Sequence, residues 1–228
     1  MSVKVTYYSD VLCIWAFVAQ ARVDAIKEAF GRDVAVDYRF VAVFGDARTK
    51  IAAAWRDSGG AEGYNKHVMG IARRFPHVKV DPRVWIDQQP ASSAGPHLFL
   101  AAMRGLEPAA GNAVASGAPS RLESVMWAFR RGFFEEGRDI GRWDVQAELA
   151  KPFGVDIEEV SDAVHNGTAF SRLSADYAEA EKLKLEGSPT FVLNEGRQKL
   201  FGNIGFRIIE ANIREMMREP NVDQASWC

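Results

Sequence analysis

Of two cysteines in 228 residues, one, Cys13, stands in the run YYSDVLCIWAFVAQARVDAI (Tyr7–Ile26), where extended sequence gives way to helical. A cysteine at the first turn of a helix meets unpaired backbone N–H groups and the positive end of the helix dipole. Both favour the thiolate and lower a thiol pKa from its free value of about 8.5. The thiolate is the nucleophile, so this placement gives reactivity without a neighbouring base. The competing reading is a small apolar thiol filling a strand–helix junction, because free cysteines are often buried. Ala16 stands three places on, where a redox dithiol puts its second cysteine. Cys228 is the last residue, after EPNVDQASW, and is expected to be an exposed terminal thiol.

A second feature is EGSPTF (Glu186–Phe191), in which Ser188-Pro189 directly precedes a strand. Proline donates no ladder hydrogen bond and is confined to strand starts, edges or bulges. By itself the dipeptide reads as a trans proline opening a strand, since only about 5–6% of X–Pro bonds are cis. The four histidines, His67, His77, His97 and His165, have no metal-ligand spacing, so no metal site is expected. Ser9 and Asp10 are expected to cap the helix after Cys13. An acid so close to the thiol would raise its pKa and oppose the helix-end effect.

Those residues need elements to hold them. Val3–Tyr8 is β-rich, residues 14–30 are helical with Gly31 as a stop, and Val34–Phe44 is β-rich again. Strand, helix, strand makes a right-handed βαβ unit if the strands are parallel. Helical patterns follow over 48–75, 96–105, 120–138, 143–153 and 156–183, broken by Gly, Pro and Ser, with 107–119 the most loop-like stretch. Asp144 and Asp156 are expected N-caps. The strand signal returns in SPTFVLN, a turn at Glu195-Gly196 and QKLFG, which together read as a hairpin. A final amphipathic helix spans Gly205–Glu219, with Ile208, Ile209, Ile213, Met216 and Met217 on one side. A βαβ half and a ββα half on one mixed sheet make an α/β thioredoxin fold. Residues 1–45 and 184–228 form its discontinuous domain and 46–183 a large all-helical insertion.

Composition narrows the partners. A 47% hydrophobic and 25% charged chain is ordinary for a globular protein. With a net charge of −2 and no basic face, nucleic acid and anionic membranes are unexpected partners. No apolar run approaches the roughly 18–20 residues of a membrane span. MSVKVTYYSD lacks a signal-peptide pattern, so a cytoplasmic location with reduced thiols is expected.

Taken together, SDVLCIWAF, FRRGFFEEGRDIGRWDVQAELAKPFGVD and GSPTFVLNEGRQKLFG resemble the DsbA family of thiol–disulfide oxidoreductases, in particular its cytoplasmic branch. That branch is related to 2-hydroxychromene-2-carboxylate isomerases and kappa-class glutathione transferases, and the resemblance covers nearly the whole chain. It implies that Cys13 is the nucleophile and that Pro189 follows a cis bond facing it. It also implies that the backbone of Ser188 pairs with an extended thiol ligand such as glutathione or a peptide. Trp15, inside the motif, is expected to line the pocket, while Trp55, Trp85 and the MWAFRRGFF aromatics are expected to be mostly core, with one or two of them roofing the cleft. His97 lies in a segment expected to face the cleft.

The sequence departs from the family where Cys13-Ile14-Trp15-Ala16 replaces C-P-W-C. Without a resolving cysteine, a mixed disulfide on Cys13 needs an external thiol for release. The relatives' glutathione-binding features match only in part. Asn203 is present in FGNIGFR, but Ile204 stands where an Asp is expected, and Ser92-Ser93 replace an Asn-Thr pair. The leading expectation is a DsbA-like oxidoreductase acting through one thiol on a small thiol or disulfide, or on a protein thiol. Glutathione would be a cosubstrate and no cofactor would be tightly bound. Two alternatives stay open: a glutathione-dependent isomerase or transferase of a small aromatic substrate, and a non-catalytic binding protein. A homodimer is left open.

Overall fold

The computed structural model describes residues 2–106 and 119–218. Cys228, the end of the expected final helix and nearly all of the loop-like stretch 107–119 lie outside them. β1 (Val3–Ser9) and β2 (Val34–Phe40) are rich in β-branched and aromatic residues. They pair in parallel, Val3 opposite Val34 through Ser9 opposite Phe40. α1 (Ile14–Phe30) connects them and stops at Gly31. β3 (Thr190–Leu193) runs antiparallel to β1, and β4 (Gln198–Phe201) antiparallel to β3, giving the order β2-β1-β3-β4. A tight turn at Asn194–Gly196 closes the β3–β4 hairpin. The last described helix, α9, spans Phe206–Met216.

Among the described residues, seven helices lie between β2 and β3: α2 (Ala47–Ala54), α3 (Gly60–Ala72), α4 (Ala94–Leu106), α5 (Arg121–Phe134), α6 (Trp143–Ala150), α7 (Ile157–His165) and α8 (Thr168–Lys182). Two expected long helices are each divided. The pattern over 48–75 breaks at Gly59 and Gly60, whose φ values of 92° and 60° reverse the chain's hand. The pattern over 156–183 breaks at Gly167, φ 83°. Asp156 caps α7 as expected, accepting from the N–H groups of Glu158 and Glu159. Asp144 does not cap α6. It sits inside the first turn and pairs with Arg142, the residue at the cap position.

Two more boundaries differ from expectation. β2 ends at Phe40, not Phe44, because the Phe44 N–H is taken by the Asp10 carboxylate (2.8 Å) and its carbonyl by the Ser93 N–H (2.9 Å). In α9, Ile209 and Ile213 are fully buried while Ile208 is 54% exposed. Phe206, Ile209, Ile213 and Met216 form the inward stripe, at the 3–4 spacing of a helix face. Ile208, one residue from Ile209, points about 100° away.

One apolar cluster runs through both expected domains. It joins Val5 and Tyr7 of β1, Phe17 and Val23 of α1, Phe99 of α4 and Phe129 of α5. Charged pins cross the same boundary. Asp176 of α8 is fully buried and accepts from Arg39 of β2 and, through both oxygens, from Arg104 of α4. Arg130 of α5, also buried, donates to Ser9 Oγ (2.8 Å) and to Gln20 Oε1 (3.2 Å).

Candidate active site

Cys13 holds the N-cap position of α1, at the end of a turn closed by its own N–H to the Asp10 carbonyl (3.1 Å). Its side chain makes no capping bond. The thiol donates instead to the carbonyl of Ser188 at 3.3 Å. Ser188 Oγ accepts the Asp10 N–H at 2.9 Å, so the end of β1 and the approach to β3 are stitched together from both sides. The Ser188–Pro189 peptide is cis. The Pro189 carbonyl accepts the Gly202 N–H at 2.8 Å, which fixes this corner to the end of β4.

Asp10 does not cap α1. One carboxylate oxygen accepts from the Leu12 N–H (2.9 Å), and the other from the Phe44 N–H and Ser93 Oγ (both 2.8 Å). It holds the Cys13 turn, the segment after β2 and the approach to α4 at one point. Ser9 likewise serves Arg130 rather than the helix end. Ser92 Oγ accepts from the Ala94 N–H and opens α4, so the serine pair is occupied by the fold.

The expected lowering of the thiol pKa is reversed. Burial pushes the Cys13 thiol up, and Asp10 adds to that. The Ser188 side chain and the first-turn N–H groups of Ala16 and Trp15 pull the other way without prevailing. The helix-end argument holds in direction, but Cys13 is only 6% exposed, and desolvating a charge costs more than a helix end returns.

Cys13 opens on a largely apolar cavity of about 570 Å³. Ile14 and Trp15 flank the sulfur, and Val41, Val43 and Phe44 form the wall where β2 leaves the sheet. Tyr64 of α3 and Tyr177 of α8 also line it, with Lys50, His67, Glu181 and Glu186 among its polar members. Trp15 and Ser188 line the same cavity as Cys13, and Pro189 is not among the lining residues. Asn203 is not among the lining residues, and its Oδ1 is buried without a hydrogen-bond partner among the described residues. Trp85 and Trp55 stand behind the wall rather than over the opening: Trp85 stacks on Phe44 at 5.3 Å, and Trp55 packs on Tyr64 at 5.5 Å.

His97 is fully buried and is not a cavity-lining residue. Its Nε2 accepts the Val11 N–H at 3.2 Å, its Nδ1 lies 3.2 Å from the Tyr177 hydroxyl, and its ring stacks on Phe40 at 4.8 Å. Burial pushes its pKa down. Tyr64 and Tyr177 were not singled out from the sequence. They come from helices far along the chain, and no local motif marks them. Burial raises both hydroxyl pKa values, and for Tyr64 the negative charges of Cys13 and Asp10 add to it. No group of three or more metal-ligating side chains is gathered among the described residues. None of their helices is long and apolar enough to cross a membrane.

A parallel βαβ unit, an antiparallel ββα unit, a cysteine at the first helix and a cis Ser188–Pro189 peptide whose Ser188 carbonyl meets the thiol define a thioredoxin-fold protein with helices set between its halves. Residues 4–214 match the model of the DSBA-like thioredoxin domain, and the chain belongs to that family. Solved structures with the same fold include a probable DsbA oxidoreductase from Streptomyces coelicolor, 23% identical with a TM-score of 0.71, covering 96% of this chain and 92% of that one. The cytosolic disulfide reductase DsbM from Pseudomonas aeruginosa, determined with GSH, is 20% identical with a TM-score of 0.61 over 93% of this chain and 100% of its own. A 2-hydroxychromene-2-carboxylate isomerase is 16% identical with a TM-score of 0.60 over 94% and 96%. No curated protein sequence matches the chain.

Proposed function

We propose that the protein is a monothiol oxidoreductase that exchanges small, largely apolar disulfides through Cys13 with glutathione as cosubstrate. The observation that carries this reading is a thiol set at the end of an apolar cavity, 3.3 Å from the Ser188 carbonyl, with no second cysteine among the described residues. Cys13 gives up its proton and its thiolate attacks one sulfur of the bound disulfide. The S–S bond breaks, a mixed disulfide forms on Cys13, and the other half leaves as a thiolate that takes up a proton. Glutathione thiolate then attacks the substrate sulfur of the mixed disulfide, releasing Cys13 as thiolate and a glutathionyl disulfide. Oxidation state balances across the cycle, and the external thiol replaces the missing resolving cysteine. The Ser188 side chain assists by favouring the Cys13 thiolate, and the cis Ser188–Pro189 corner presents backbone to the substrate's sulfur-bearing segment. A cytoplasmic location, where thiols stay reduced, fits this chemistry.

A second reading draws on the raised thiol pKa. A Cys13 held protonated is a donor, suited to orienting a glutathione thiolate toward a small aromatic substrate in an isomerase or transferase reaction. Treatment with oxidised glutathione followed by intact mass measurement separates the readings. A one-glutathione adduct, absent in Cys13→Ser, supports disulfide exchange. Saturable binding of reduced glutathione without an adduct supports the second reading. Neither behaviour leaves a binding protein without turnover.

A further inference from the structure

Besides Lys50, Tyr64, His67, Glu181 and Glu186, the cavity is lined by Tyr177, whose hydroxyl is held from behind by a device that the thiol chemistry does not use. The backbone N–H of Val11 only donates, so the His97 Nε2 it meets at 3.2 Å is an acceptor. A neutral imidazole has one acceptor and one donor nitrogen, so the His97 proton is on Nδ1. That N–H donates to the Tyr177 oxygen at 3.2 Å. Protonating His97 would set two donors against each other at Nε2. Asp10 Oδ1, at 3.8 Å from Nε2, is beyond hydrogen-bond distance and does not take the Val11 N–H's place as a partner of that nitrogen. The Tyr177 hydroxyl therefore receives a hydrogen bond from behind, and its own proton is directed away from His97. Tyr177 lines the cavity that Cys13 opens on, and Val11 belongs to the same turn as Cys13.

From this geometry we infer that Tyr177 is a hydrogen-bond donor of the cavity toward the ligand. His97 is the positioning residue that fixes its polarity, and the preferred ligand is a small apolar molecule carrying a neutral acceptor oxygen, such as a carbonyl. The inference rests on the reading of this cavity as the ligand site and adds the chemical group recognised there. A ligand offering a donor at that position would meet the Tyr177 proton and be disfavoured, so the arrangement selects by polarity as well as by size.

The test uses acetophenone and ethylbenzene, which match in shape and differ by the carbonyl. Binding to the full-length protein and to Tyr177→Phe is measured by ligand-observed NMR titration. A net hydrogen bond of about 1 kcal/mol corresponds to about a fivefold difference in affinity. The expected result is an approximately fivefold preference for acetophenone in the wild type, lost in Tyr177→Phe with ethylbenzene affinity unchanged. Equal affinities in the wild type, or a preference that survives Tyr177→Phe, would overturn the inference while leaving the cavity as a ligand site. Binding of neither probe would overturn the ligand-site reading and the inference with it. Nitrogen-15 shifts of His97 give an independent check: the Nδ1–H tautomer is expected, and the Nε2–H tautomer or an imidazolium at neutral pH contradicts it.

Discussion

At the scale of single residues, the decisive balance is at Cys13. Burial and the Asp10 charge raise the thiol pKa, and the Ser188 side chain opposes them. Alkylation by iodoacetamide is therefore expected to rise with pH along a curve whose midpoint lies above that of a free thiol at about 8.5. Ser188→Ala removes an opposing contribution and is expected to move the midpoint higher. Asp10→Asn removes a charge that disfavours the thiolate and is expected to move it lower. Mass-detected labelling across pH reads all three, and Cys13→Ser identifies the labelled site. The chain does spell out a cysteine at a helix start and a proline at a strand start. It does not spell out the depth at which the sulfur is buried. That depth is a product of tertiary packing, and it reverses the direction of the pKa shift.

At the scale of elements, Asp176 carries the strongest expectation. It pairs with both Arg39 and Arg104, so removing it leaves the nearly buried Arg104 guanidinium without this carboxylate, while Arg39 keeps Asp37. Breaking a buried pair from one side costs about 3–5 kcal/mol. Asp176→Ala is expected to lose that much in chemical denaturation, whereas Arg142→Ala, on a fully exposed pair, is expected to lose almost nothing. The strands and α1 were legible because alternation and the Gly31 stop are local signals. The breaks inside 48–75 and 156–183 were less so, since a glycine within a helical pattern costs only about 1 kcal/mol and does not by itself end a helix. The end of β2 was not legible at all. Its sequence stays β-rich through Phe44, and the departure is imposed by the Asp10 carboxylate from another part of the chain.

At the scale of the whole molecule, βαβ and ββα units on one sheet could be read from element order. The apolar core that joins them to the helices could not. His97 sits where these parts meet and gives the protein an acid limit. Its folded pKa is depressed by burial, with Asp10 and Asp176 pulling up and Arg130 pulling down. Below the ordinary histidine pKa of about 6.5 the unfolded chain takes up a proton that the folded chain refuses, so stability falls as pH falls. Denaturant midpoints at pH 7 and pH 5 should differ less in His97→Gln than in the wild type.

The three hydrogen bonds to the Asp10 carboxylate have a dynamic consequence. The amides of Leu12 and Phe44 belong to no described helix or strand, yet both end on one buried anion that also holds Ser93. Neither can exchange its hydrogen unless that anion is released, and its release frees the whole corner. Their deuterium uptake is expected to be as slow as that of the β1 amides and to accelerate together in Asp10→Ala. Connecting segments that usually open first would here open last, and the sulfur between them would keep its position through most of the molecule's local fluctuations.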